Sequence, residues 1–165
     1  MDFFKPSPPG LSVLDLGCGQ GRDALVAARQ GHAVHGIDIA TSGIIQLAEI
    51  AQAEDLDVQC EVMDMQTYDA ERMYEVVVLD RVLHMLPSED RRRMMLSRAK
   101  GWVATGGHIL IADTKRNRDL IRGGFVDDEW EIVLRRRDYF WLSCTFSGSR
   151  SESSNAAFSD PSGFH

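Results

Sequence analysis

Two hydrophobic periods alternate along the first two thirds of the chain. Short apolar, β-branched runs ending in Gly or Asp are each followed by a stretch with helical spacing. Residues 11–15 form the first run. A glycine loop follows, then residues 22–30 set Ala24, Leu25, Ala27 and Ala28 on one face, with Gly31 as the stop signal. Residues 32–38 form the second run. Thr41 or Ser42 is expected to cap the next helix, whose apolar stripe reads Ile44, Ile45, Leu47, Ala48 and Ala51. A third strand is expected over residues 58–63, stopping at Asp64, and a fourth over 75–80. The unbroken Val76-Val77-Val78-Leu79 is what a strand covered by helices on both faces looks like. Pro87, Ser88, Glu89 and Asp90 open a helix that runs through Met94, Leu96 and Ala99 towards Trp102, with Gly106-Gly107 as the break before a fifth run at 108–113. Strands alternating with helices of about 10–15 residues predict βαβ units and an α/β fold with an open, doubly wound, mainly parallel sheet.

The last third changes period. Residues 131–135 and 139–146 are apolar runs separated only by Arg136-Arg137-Asp138, short enough for a hairpin, so an antiparallel hairpin is expected beside the parallel sheet. Residues 147–165 are rich in Ser with no periodic apolar face and are expected to form a disordered tail, leaving one domain over residues 1–146.

Composition narrows the function classes. A chain of 165 residues with 44% hydrophobic and 26% charged residues can build its own core, and no apolar run approaches the ~20 residues that cross a bilayer. The first residues lack the apolar segment of a secretory signal. Cys18, Cys60 and Cys144 are odd in number and form no CxxC pair, which suits a cytoplasmic location and opposes a zinc site. A net charge of −7 repels phosphate backbones, so neither nucleic acid nor a membrane is expected as a partner. The runs Arg91-Arg92-Arg93 and Arg135-Arg136-Arg137 read as solvated faces.

The chemistry concentrates in Val13-Leu14-Asp15-Leu16-Gly17-Cys18-Gly19-Gln20-Gly21-Arg22. Glycines between a strand and a helix let the backbone turn sharply and approach a ligand, and a helix N-terminus favours an anionic group. Asp38 closes the next strand, where a carboxylate can accept from both hydroxyls of a ribose. Together they point to a nucleotide-like ligand. The nicotinamide fingerprint is G-x-G-x-x-G, whereas residues 17–22 read G-x-G-x-G-R, with Asp15 two places before the first glycine. Asp80 and Asp113 end two further strands; without a third close ligand they make a weak metal pair, and no metal is expected.

At these residues the chain resembles the class I S-adenosylmethionine-dependent methyltransferases, whose first motif is [D/E]-x-G-x-G-x-G. The resemblance runs from about residue 11 to 146. Gly21-Arg22-Asp23-Ala24-Leu25, Gln30-Gly31-His32 and Asp80-Arg81-Val82-Leu83-His84-Met85-Leu86 look most like the tellurite-resistance type and related small-molecule enzymes. The resemblance implies S-adenosyl-L-methionine as cofactor and methyl transfer to a small molecule. It implies that Asp15 belongs to the cofactor site, that the backbone around Gly17, Cys18 and Gly19 lies beside the methionine part, and that Arg22 pairs with its carboxylate. Asp38 would hold the ribose, Ile39 the adenine, Asp64 the adenine amino group, and Met63 or Met65 a ring face. Asp80 would sit near the methyl group. Arg22 as a solvated first-turn side chain and Met65 as plain core are the alternatives. On the acceptor side, His84 can relay a proton near neutral pH, and Arg81 can hold an anionic acceptor or make a surface ion pair. The competing functions are a cofactor-binding or interaction domain with little turnover, and a nicotinamide-dependent oxidoreductase.

Related small-molecule methyltransferases commonly cover the acceptor with helices before the first strand and an insertion after the fifth. Here residues 1–10 carry Pro6, Pro8 and Pro9, which oppose a helix, and residues 114–129 allow a short one around 119–121. The methyl end is therefore expected to lie open unless a second subunit, in a homo-oligomer, covers it.

Overall fold

The computed structural model describes residues 3–5, 7–125, 130–134 and 140–146. The runs anticipated from the apolar pattern become strands β1 (Ser12–Leu16), β2 (Ala33–Asp38), β3 (Val58–Val62), β4 (Tyr74–Asp80) and β5 (Val103–Asp113), and a hairpin of β6 (Trp130–Leu134) and β7 (Phe140–Phe146). They form one sheet in the order β3-β2-β1-β4-β5-β7-β6. The five N-terminal strands are parallel, while β7 runs antiparallel to both β5 and β6. The expected α/β doubly wound sheet with an antiparallel hairpin is thus present, with β7 inserted between β5 and β6. The tail expected over residues 147–165 lies outside the described residues.

Alternation along the central strands builds two cores. Leu14, Leu16, Val77, Leu79, Ile109 and Ile111 face one side, under helices α3 (Glu89–Gly101) and α4 (Arg118–Gly123). Val13, Val76, Val78 and Leu110 face the other, under α1 (Arg22–Ala28) and α2 (Thr41–Ala53). Both faces being covered explains the unbroken valine run of β4, whose Val76, Val77, Val78 and Leu79 are all buried. Residues 3–5 and 7–10 contain no helix; they run as a strap that buries Phe4 against the His32 ring and ties Gly10 N–H to Gly31 O at 2.9 Å.

Several local expectations are corrected. Helix α2 begins at Thr41 with Ala40 as its cap residue, and neither Thr41 nor Ser42 caps it; the Asp38 carboxylate instead accepts from Ala40 N–H at 2.7 Å. Its buried stripe is Gly43, Ile44, Leu47 and Ala51, while Ile45 and Ala48 are exposed. In α3, Met95 is buried and Met94 exposed, one residue out of the expected phase. That helix stops at Gly101, and Gly106-Gly107 lie within β5, where the register against β4 shifts between Tyr74 and Val76. The turn after β5 holds the short α4 and one 3₁₀ turn at Lys115–Asn117.

Strand order reverses between β1 and β4: the chain leaves β1 towards β2 and β3, then returns to β4 and β5 on the other side. In open α/β sheets the crevice at the carboxyl ends of such strands is where ligands bind. No helix among the described residues is long and apolar enough to cross a membrane.

Candidate functional site

A cavity of about 530 Å³ opens at that crevice, within the range of small-molecule sites. Its walls come from the carboxyl ends of four strands. The β1 loop contributes Gly17 and Gly19; β2 contributes Ile37, Asp38 and Ile39; the segment after β3 contributes Met63, Asp64, Met65 and Gln66; β4 and the turn beyond it contribute Asp80, Arg81, Val82, His84, Met85 and Leu86.

The glycine loop has the conformation its sequence predicts. Gly17, Gly19 and Gly21 all have positive φ, a region closed to most side chains. The N–H groups of Gly17 and Cys18 both donate to Ile37 O, at 2.8 and 3.0 Å, which fastens the loop to the end of β2. A Cβ on Gly19 would meet nothing within 4 Å, so its surface faces open space at the cavity wall.

Asp38 organises the next corner. One carboxylate oxygen accepts from Gly19 N–H at 2.8 Å and the other from Ala40 N–H, so the side chain is held at the cavity edge by backbone donors. Asp64 accepts from Gln66 N–H at 2.8 Å and is oriented in the same way. Met63 and Met65 both line the cavity and pack on the main core, so the two alternatives for Met65 describe one position. Ile39 and Met85, 67% and 70% exposed, form an apolar rim open to solvent.

Charge is concentrated at Asp80. Its side chain is nearly buried and forms an ion pair with Arg22, and Arg81 lies 3.5 Å from the same oxygen. Arg22 also approaches Asp23 at 3.4 Å. Arg81 has φ of +57°, a strained conformation for a long side chain, fixed by its N–H bond to Ala112 O.

Three sequence candidates stand outside the cavity walls. Arg22 is turned to Asp80. Cys18 is buried, its thiol pushed up by burial and by Asp15, and it packs beside Gly36. Asp15 is buried with one oxygen that has no partner among the described residues, and burial, reinforced by the Asp23 charge, raises its carboxyl pKa to about 8. That raised value has a stability consequence. The folded chain retains a proton that the unfolded chain releases, so stability is complete below the ordinary carboxylate range near pH 4 and declines as pH rises through about 8. Asp15→Asn is therefore expected to melt at a higher temperature than the wild type at pH 8, with the gain shrinking towards pH 4 in thermal scans. A gain independent of pH would contradict this charge assignment.

Gly43, in the first turn of α2, is a site residue that the motifs do not mark. A Cβ there would stand 2.8 Å from the backbone oxygen of Gly19, so its missing side chain lets α2 sit against the glycine loop. The available signal is a glycine at a helix position where it costs about 1 kcal/mol relative to alanine. Gly43→Ala is expected to lower the melting temperature despite its better helix propensity, and to weaken ligand binding by displacing Gly19. A rise in melting temperature with unchanged affinity would show that the loop yields freely. Gln66, which lines the cavity, is likewise unmarked by the motifs. Asp113, weighed in the sequence only as half of a weak metal pair, holds His84, accepting from the His84 backbone N–H at 3.2 Å and facing its Nδ1 at 3.4 Å.

Residues 13–107 match the family described as a methyltransferase domain. Among curated proteins the chain is 28% identical over 110 residues to a ubiquinone biosynthesis O-methyltransferase of Coxiella burnetii, covering 66% of this chain and 45% of that protein. It therefore spans under half the length of that relative. Among solved structures it superposes on magnesium protoporphyrin IX methyltransferase from Synechocystis, with bound S-adenosylmethionine, at a TM-score of 0.74 and 20% identity, covering 87% of this chain and 73% of that one. It also superposes on TehB from Haemophilus influenzae at a TM-score of 0.67 and 18% identity, covering 84% and 58%.

Proposed function

The chain belongs to the methyltransferase domain family, and from that membership we propose that it transfers the methyl group of S-adenosyl-L-methionine to a small-molecule acceptor. The observation that carries this reading is the convergence on one cavity of the glycine loop, the strand-end carboxylates Asp38 and Asp80, and Asp64 after β3. Apolar side chains lie between them, as a ligand with a polar sugar and a flat ring requires. The open surface over Gly19 also suits a ligand with polar groups at the methionine end.

In this assignment Asp38 holds the ribose hydroxyls, Ile39, Met63 and Met65 contact the adenine, and Asp64 accepts from its amino group. The backbone of Gly17, Cys18 and Gly19, with Asp15, lies along the methionine part. Arg22 gives up its pairing with Asp80 to neutralise the carboxylate of the methionine part, and Asp80 then stands beside the methyl group with Arg81 and His84. The bound sulfonium supplies an activated methyl; the protein's share is to position the acceptor in line and exclude water. The net charge of −7 favours a small acceptor over nucleic acid, and the free thiols of Cys18 and Cys60 suit the cytoplasm.

Met85, beside His84 at the cavity rim, is left exposed by the described residues, so turnover by the isolated chain is expected to be slow until a second subunit or a further segment covers the methyl end. The test is mass-spectrometric detection of methylated products and S-adenosylhomocysteine over a panel of small hydroxyl, amino and thiol compounds. Acceptor-dependent S-adenosylhomocysteine release supports the proposal. Tight S-adenosylhomocysteine binding with no product from any acceptor favours the binding-domain reading instead.

A further inference from the structure

We infer that Asp113 is a positioning residue that fixes His84 as a proton acceptor facing the cavity, and that the methyl acceptor is accordingly a hydroxyl compound of phenolic or enolic acidity. This rests on the methyl-transfer reading above and adds the acceptor class to it. Asp113 closes β5 with a fully buried side chain, and a buried carboxylate is tolerated only when donors surround it. One oxygen accepts from Thr114 N–H at 2.7 Å and from the Asn117 side-chain amide at 2.8 Å, which sets the plane of the carboxylate. Among the described residues the other oxygen meets only His84, through its backbone N–H and Nδ1. Asn117 is braced by Arg92, whose guanidinium also donates to Leu86 O at the end of the same turn. The turn carrying His84 is therefore held to β5 and α3 from both sides.

An ionised carboxylate only accepts, so the ring nitrogen facing it must carry the proton. The neutral ring then has its lone pair on Nε2, which has no hydrogen-bond partner among the described residues, and His84 lines the cavity. A separation of 3.4 Å is long for a charge-assisted bond, and such bonds commonly tighten when the site is filled. A base in this place suits an oxygen nucleophile. As the hydroxyl proton passes to Nε2, the oxygen lone pair forms the bond to the methyl carbon, and the carbon–sulfur bond breaks onto sulfur to leave neutral S-adenosylhomocysteine. The imidazolium returns its proton to solvent through the exposed part of the ring, 39% of the side chain. An unprotonated amine needs no such base to attack.

The experiment has two arms. Heteronuclear NMR of the ring nitrogens in the unliganded full chain reads the tautomer without cofactor or turnover. Wild type is expected to show His84 protonated on Nδ1, and Asp113→Asn, which presents an amide donor, to shift it towards Nε2–H. Methyl transfer is then measured on substituted phenols and the matching anilines. Phenols are expected to be methylated, with kcat falling about a hundredfold in Asp113→Asn and in His84→Gln while KM changes little, the usual scale of a lost general base. A wild-type Nε2–H tautomer, an unchanged kcat in the variants, or a preference for anilines would each overturn the inference. The wild-type spectrum decides the tautomer even if Asp113→Asn does not fold. Absence of S-adenosylhomocysteine binding would instead count against the methyl-transfer reading, leaving the tautomer result standing.

Discussion

Asp38→Ala is expected to weaken S-adenosylhomocysteine binding by about a hundredfold or more. The assigned role is two hydrogen bonds from ribose hydroxyls to one carboxylate, and bonds to a charged group contribute roughly 1.5–3 kcal/mol each. Two together exceed about 3 kcal/mol, where 1.4 kcal/mol is a factor of ten. The substitution also releases Gly19 N–H and Ala40 N–H, so the glycine loop and the start of α2 lose a shared anchor. Asp38→Asn keeps an acceptor but loses the charge and should fall between wild type and alanine. Titration calorimetry on the three proteins checks the order, and equal affinities would remove Asp38 from the ribose role.

Gly17→Ala is expected to be among the most destabilising single-methyl changes in the chain. The residue has φ of +71°, where an L side chain costs about 1–2 kcal/mol. Its Cβ would also stand 2.3 Å from Val82 Cγ1, inside a packed wall of the cavity. Overpacking of this kind costs about 1–3 kcal/mol, for a total of about 2–5 kcal/mol. For a chain of this size that is a fall of roughly 5–15 °C in Tm. Gly123→Ala is the control: it lies in α4, with no atom of the described residues within 4 Å of an added Cβ and no positive φ. Thermal scans should show a large drop for the first and a change near zero, or a small gain, for the second. Similar Tm values for both would mean the loop is not strained as described.

These positions also show what the sequence discloses and what it withholds. Apolar period and glycine spacing are local properties, so the β4 run, the positive-φ loop and the aspartates ending β2 and β4 are legible in the residues themselves. Parallel strands bring their carboxyl ends to one edge, so residues read separately as Asp38, Asp64 and Asp80 arrive at one cavity. Contacts between elements distant in sequence are not legible in this way. Asp113 reaches His84 across 29 residues, and by sequence alone it offers only half of a weak metal pair. Arg22 meets Asp80 because α1 begins opposite the end of β4, a closeness no local pattern encodes. Helix phase fails where apolar residues are adjacent: Met94 and Met95 both fit a stripe, and packing on the sheet selects Met95. In α2 the local cap signal of Thr41 and Ser42 yields to a carboxylate from the preceding strand end.

The central claim is that this cavity takes S-adenosylmethionine rather than a nicotinamide dinucleotide. Titration calorimetry of the wild-type chain with S-adenosylhomocysteine and, separately, with NAD tests it most directly. A single S-adenosylhomocysteine site per chain is expected, with no binding heat from NAD under the same conditions. Saturable NAD binding with none for S-adenosylhomocysteine would contradict the claim.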